Sequence, residues 1–104
     1  MPEPITIVPQ GRLDAASVRP LEAELAERLA NGNCTLIVDF KDTTYISSNG
    51  LRILLAAHRQ AQEHGGALKL CALGERLREI FAMAGFDRVF EIFETRAEAE
   101  QSFK

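Results

Sequence analysis

Two cysteines are all that the sequence offers for a disulfide or a thiolate metal site, too few for a cysteine-stapled scaffold. Cys34 and Cys71 lie far apart in strand-like segments, lack CxxC spacing, and read as reduced packing residues. Long apolar runs are missing as well: none approaches the roughly 18 residues of a membrane span, so no direct membrane insertion is expected. Met1-Pro2-Glu3-Pro4 lacks the basic and apolar regions of a signal peptide, which points to a cytoplasmic location. Basic charge is also scarce. Twelve Lys and Arg against 15 Asp and Glu give a net charge of -3, whereas phosphate recognition needs a basic face, so nucleic acid is not an expected partner. The only histidines, His58 and His64, have no metal-ligand company, and Gly65-Gly66 precedes a strand instead of opening a helix as a phosphate loop would. No metal and no cofactor is expected. Internal repeats and low-complexity linkers are absent, and 104 residues that are 46% hydrophobic suit one compact domain over 1–104.

What is present alternates between two periods. Ile5-Thr6-Ile7-Val8 is β-branched, and Pro9 to Leu13 continues it as an edge strand or bulge. Val18, Leu21, Leu25 and Leu29 form one helical stripe, with Ser17 as the expected N-cap because Pro20 belongs in a first turn. Asn31-Gly32-Asn33 ends that helix. Thr35 to Phe40 is nearly continuous and apolar, the pattern of a central strand covered on both faces. Lys41 to Thr44 reads as a polar connection to Tyr45-Ile46, after which Leu51, Leu54, Leu55 and His58 follow helical spacing until Gly65-Gly66.

Ala67 to Leu73 is a further strand, and Leu77, Ile80, Phe81 and Ala84 a third helical stripe closed by Gly85. Val89 to Phe93 is a final strand. Thr95-Arg96-Ala97-Glu98 fits a capping box that starts a last helix burying Ala99 and Phe103. The order predicts an α/β fold with a mainly parallel mixed β-sheet layered with about four helices.

The most informative segment is Ser47-Ser48-Asn49-Gly50-Leu51, a polar turn opening a helix. Free backbone N–H groups and the positive helix end lie beside hydroxyls there, which suits capping, anion binding or phosphorylation. The structural alternative is that Ser48 or Asn49 caps the helix while Gly50 lets a neighbouring backbone approach. A nucleophilic serine needs a base within hydrogen-bond reach. His58 lies about 15 Å along the same helix at ~1.5 Å per residue, and His64 farther. The stretch also departs from G-x-S-x-G, so no enzyme is expected and no catalytic residue is assigned. A receiver domain would place an acidic pair after the first strand to hold a cation, and only Asp14 stands there, although Asp39 could imitate the phosphoacceptor.

Gly11-Arg12-Leu13-Asp14, Leu36 to Phe40, Tyr45-Ile46-Ser47-Ser48-Asn49-Gly50-Leu51-Arg52 and Phe81 to Phe90 together resemble the STAS domain of anti-sigma-factor antagonists over nearly the whole chain. The resemblance implies a regulatory domain that binds an anti-sigma factor, commonly a serine kinase, to release a sigma factor, with a phosphatase as a further partner. It implies partner contacts at Asp14, Ser47, Ser48, Asn49, Gly50 and Arg52. The typical site is Asp-Ser-Ser-Gly or Asp-Ser-Thr-Gly, phosphorylated on the residue before glycine. Here that residue is Asn49, Ser47 stands in place of the aspartate, and Ser48 matches the first serine. An amide cannot accept phosphate as a hydroxyl does. Two consequences stay open: a permanently competent binder, or phosphorylation displaced to Ser48 or Ser47. A STAS subunit of a transport assembly, such as a lipid transporter, is the alternative function.

Overall fold

The computed structural model describes residues 3–104; the leader reading of Met1 and Pro2 lies outside the described residues. Strands β1 (Ile5–Ile7), β3 (Thr35–Asp39), β5 (Ala67–Cys71) and β6 (Ile92–Phe93) form a four-stranded sheet in the order β1-β3-β5-β6. Strands β2 (Gly11–Leu13) and β4 (Thr43–Ile46) form a second, two-stranded sheet. Every strand pairing among the described residues is parallel. Parallel neighbours require crossovers, which α1 (Arg19–Ala30), α2 (Ser48–Glu63) and α3 (Glu75–Met83) supply.

Alternation along the strands divides the core in two. Leu36, Val38, Leu68 and Leu70 pack with Leu21 and Leu25 of α1, Leu51 and Leu54 of α2, and Leu77 and Phe81 of α3. Ile37 and Cys71 point to the opposite face, where α4 (Arg96–Ser102) covers them with Ala99. The central strand expected from its apolar run is therefore β3, with side chains buried on both faces. Burial also pushes the Cys71 thiol up to about 11, so it is a neutral packing group at physiological pH.

Several local expectations are corrected. The first strand is two strands in two sheets, because Pro9 and Gly11 at φ 70° turn the chain away from β3 and towards β4. Thr43 and Thr44 belong to β4 and are not a loop; the Thr43 hydroxyl donates to the Pro9 carbonyl at 3.0 Å. Ser17 does not cap α1. Its hydroxyl accepts the Asp14 N–H at 2.9 Å, and Asp14 Oδ1 accepts the Ala16 and Ser17 N–H groups, so Asp14 caps an extra turn before Arg19. Pro20 still falls in the first turn of α1. Beyond α3, Gly85 at φ 77° turns the chain, but Ala84 is exposed. A 3₁₀ turn, Phe86–Arg88, then carries Val89 in helical geometry, and the expected Val89–Phe93 strand shrinks to Ile92–Phe93. That turn inserts Phe90 beside His58, with ring centroids 5.1 Å apart. Likewise β5 stops at Cys71 because Ala72 adopts φ 61°.

The capping box is as expected: Thr95 Oγ1 accepts the Glu98 N–H and the Glu98 carboxylate accepts the Thr95 N–H, both at 3.1 Å. Ala99 is buried and Phe103 half-buried. An unanticipated polar group helps to hold α4. The Lys69 ammonium, on the buried centre of β5, donates to the Ser102 hydroxyl at 2.9 Å and the Ser102 carbonyl at 3.2 Å. It also lies 3.0 Å from the Glu91 carboxylate and 4.1 Å from the Phe103 ring centroid.

Candidate functional site

The two-stranded sheet determines where the site residues lie. Strands β2 and β4 run side by side with Arg12 opposite Tyr45 and Leu13 opposite Ile46. Leu13 and Ile46 are buried, so this register anchors both strand ends in the core. The next step of the ladder is the Ser47 N–H, which donates to the Leu13 carbonyl at 2.9 Å. That bond fastens the serine turn to the residue preceding Asp14. It also holds Ser47 extended, at φ -83° and ψ 168°, which is N-cap geometry.

Ser47, not Ser48 or Asn49, is therefore the cap of α2: its hydroxyl accepts the Gly50 N–H at 3.2 Å and its carbonyl the Leu51 N–H at 3.0 Å. A cap contributes about 1 kcal/mol, whereas each fully buried leucine contributes roughly 1.5–3 kcal/mol. Leu51 and Leu54 thus decide that α2 forms, and Ser47 decides where it begins. Gly50 is buried against Ile46, and a Cβ there would stand 2.6 Å from Ile46 Cγ1. Close approach is what makes glycine necessary, since its φ is not positive.

The remaining site residues differ in access. Ser48 is exposed at the first helical position, and Arg52 is exposed one turn later. Asn49 is half-buried and lines a groove of about 360 Å³ between α1 and α2, together with Glu22, Leu25, Arg52 and Ile53. Asp14 is exposed across the Ser47–Leu13 bond, its carboxyl held below the usual carboxylate range by hydrogen bonds from Ser17 and Ala16, with the Arg12 guanidinium adding to the effect. The ionised form is fixed in place with one oxygen, Oδ1, occupied by the turn.

Asp39 organises its loop, accepting the Lys41 N–H at 2.9 Å while itself buried. Sequence reasoning singled out neither Glu22 in the groove nor the pairing of Arg12 with Tyr45, in which the guanidinium carbon lies 4.3 Å from the ring centroid. The signal for the second was the in-out alternation of Arg12-Leu13 and Tyr45-Ile46, legible only once both segments are assigned as neighbouring strands.

Neither histidine serves the serines. His58 is buried on α2, and its Nδ1 accepts the Leu68 N–H at 3.1 Å; burial lowers its pKa, partly offset by Glu91. His64 is exposed at the far end of α2. Among the described residues no cluster of three or more His, Cys, Asp or Glu side chains could hold a metal ion, and no helix is long and apolar enough to cross a membrane.

The chain and its fold are similar to those of known proteins. The chain matches the STAS domain family over residues 2–99. It is 37% identical to BtrV of Bordetella bronchiseptica, provisionally named an anti-sigma factor antagonist, over 91% of this chain and 82% of that one. It is 32% identical to the anti-sigma-B factor antagonist of Bacillus subtilis, over 79% and 74% of the two chains. Its fold is shared with the Bacillus cell fate determinant SpoIIAA in the phosphorylated form, with a TM-score of 0.75 and 22% identity over 98% of this chain and 92% of that one.

Proposed function

The chain belongs to the STAS domain family, and from that premise we propose that it is an anti-sigma factor antagonist, which binds an anti-sigma factor and so releases a sigma factor for transcription. The observation that carries the reading is the bond from the Ser47 N–H to the Leu13 carbonyl. It joins the Asp14 turn and the start of α2 into one surface on which Asp14, Ser48 and Arg52 are exposed. These side chains supply an anion, a hydroxyl and a cation on a rigid frame, the requirements of a recognition surface more than of a reaction centre. Chemistry argues the same way, since neither histidine reaches Ser47 or Ser48.

Regulation of the surface turns on three adjacent residues. Asn49 cannot take phosphate, and Ser47 is committed to its cap. Ser48 is the accessible hydroxyl of the pair. We favour a binder that is competent without a phosphorylation cycle, acting on an anti-sigma factor of the serine-kinase type in the cytoplasm. Phosphate on Ser48 would not unwind α2, because an anion at a helix N-terminus is favourable; it would block docking by bulk and about -1.5 to -2 charge.

The test is affinity purification with the full chain, followed by reconstitution of sigma-dependent transcription in vitro. An anti-sigma factor should be recovered, and adding the chain should restore transcription that this factor inhibits. Recovery of a permease with its transport ATPase, without an anti-sigma factor, would replace the reading with the transport-assembly one. Incubation of the recovered factor with ATP should leave the chain unmodified and modify Asn49→Ser; phosphate on Ser48 of the native chain would overturn the phosphorylation-free model.

A further inference from the structure

The pair formed by Arg12 and Tyr45 lies outside the hydrophobic core. Both residues occupy the outward positions of β2 and β4, while their neighbours Leu13 and Ile46 fill the core. Arg12 is exposed, and it takes part in none of the ion pairs found among the described residues. Its guanidinium lies over the Tyr45 ring at 4.3 Å, which occupies one face of the planar group and leaves the N–H donors along its edge available.

Position gives this pair its significance. Asp14 lies two residues beyond Arg12, just past the end of β2, and Ser47 two beyond Tyr45, just past the end of β4. At ~3.3 Å per strand residue the pair therefore borders the turn surface at roughly 7 Å. Arg12 is close enough to help keep the Asp14 carboxyl ionised, yet no ion pair among the described residues joins the two side chains. The exposed surface consequently carries a cation and an anion at fixed spacing beside an aromatic ring. Arginine and tyrosine are the side chains that most often carry interface energy, and a guanidinium already stacked on a ring loses little freedom on docking.

We propose that Arg12, stacked on Tyr45, is a specificity-determining contact of the recognition surface and receives a carboxylate from an acidic segment of the anti-sigma factor. The proposal rests on the function proposed above. Charge complementarity identifies the occupant: a guanidinium with one face covered and its edge free matches a planar carboxylate in two parallel N–H···O bonds. Tyr45 supplies the apolar floor and excludes water from one side of that contact.

The experiment measures affinity, by calorimetry across a salt series, between the full chain and the purified anti-sigma factor recovered as above. Arg12→Ala should weaken binding about ten- to thirtyfold. Its salt dependence should be shallower than that of the native chain. Arg12→Lys should recover only a minor part of the loss, since an ammonium does not reproduce the fork or the stacking. Arg12→Glu should weaken binding more than Arg12→Ala, and Tyr45→Phe should bind as the native chain does, because the ring face and not the hydroxyl supports Arg12. Thermal melting of each variant separates lost contact from lost fold, and Arg12→Lys provides a minimal change should Tyr45 variants unfold. Affinity of Arg12→Glu within twofold of the native value would overturn the proposal while leaving the antagonist function intact. Failure of the native chain to bind any anti-sigma factor would instead remove the function and this contact together.

Discussion

Replacing Gly50 with alanine sets two effects of known sign against each other. Glycine to alanine in a helix interior is worth about 1 kcal/mol of stabilisation from backbone propensity alone, an upper bound for Gly50 in the first turn of α2. Against this, the new methyl would lie 2.6 Å from Ile46 Cγ1, 3.1 Å from Ile46 Cδ1 and 3.6 Å from the Leu13 carbonyl oxygen. Ile46 is 1% exposed, and Cγ1 sits at the branch of a β-branched side chain, so relief requires either a new χ1 well or displacement of α2. Overpacking of this kind costs about 1–3 kcal/mol. The net expectation is destabilisation of about 1 kcal/mol, a fall in Tm of roughly 4–8 °C for a domain of this size.

Urea denaturation followed by circular dichroism gives the equilibrium value, and a double-mutant cycle isolates the clash. Ile46→Ala alone should cost about 2–5 kcal/mol through the cavity it leaves. In that background the clash is gone, so Gly50→Ala should become stabilising, by up to about 1 kcal/mol from propensity with partial filling of the cavity in addition. Stabilisation of the native chain by Gly50→Ala, or an effect of the same sign in both backgrounds, would refute the close-approach reasoning and reduce Gly50 to an ordinary first-turn glycine.

Gly66→Ala should be more severe, because its Cβ would stand 1.9 Å from the backbone oxygen of Cys34 and no side chain can yield; a loss of about 3 kcal/mol or more is expected in chemical denaturation. Ser47→Ala should cost about 1 kcal/mol through loss of the cap, while Ser48→Ala should leave stability within about 0.5 kcal/mol of native, a contrast visible in paired melting curves. His58 has its folded-state pKa lowered by burial below the ordinary value near 6.5, so the unfolded chain binds the proton more readily. Its contribution is therefore complete above about pH 6.5 and is lost as pH falls through the lowered folded value. Denaturation midpoints should decline across that window in the native chain and decline less in His58→Gln. Lys69→Met should keep the apolar stem packed but remove the bonds to Ser102, costing about 1.5–3 kcal/mol and accelerating amide exchange in α4 above that in α2.

Local chemistry was sufficient wherever a few adjacent residues decide the outcome. Thr95 and Glu98 satisfy one another's backbone N–H groups whatever lies around them, so the start of α4 is readable from four letters. The helical stripe of α2 and the apolar run of β3 were similarly legible, because burial on one face or on two leaves a periodic trace. The family motifs were legible too, and with them the location of the serine turn. Three features depended on the tertiary structure. Ser17 and Ser47 are both serines before helices, yet only Ser47 caps, since the strand bond to Leu13 holds it extended while Ser17 is drawn back to Asp14. Tyr45-Ile46 gave no sign that it would pair with Gly11–Leu13, because two short strands of three and four residues carry too little alternation to mark themselves. Alternation puts Lys69 on the face opposite Leu68 and Leu70, but its partners have no local trace: α4 arrives from the end of the chain with the carbonyl and hydroxyl that receive it. Sequence determines which segments want to be helix or strand and which residues are reactive or inert. Which hydroxyl caps, which strands are neighbours and which charges meet is decided only when distant segments supply each other's hydrogen-bond partners.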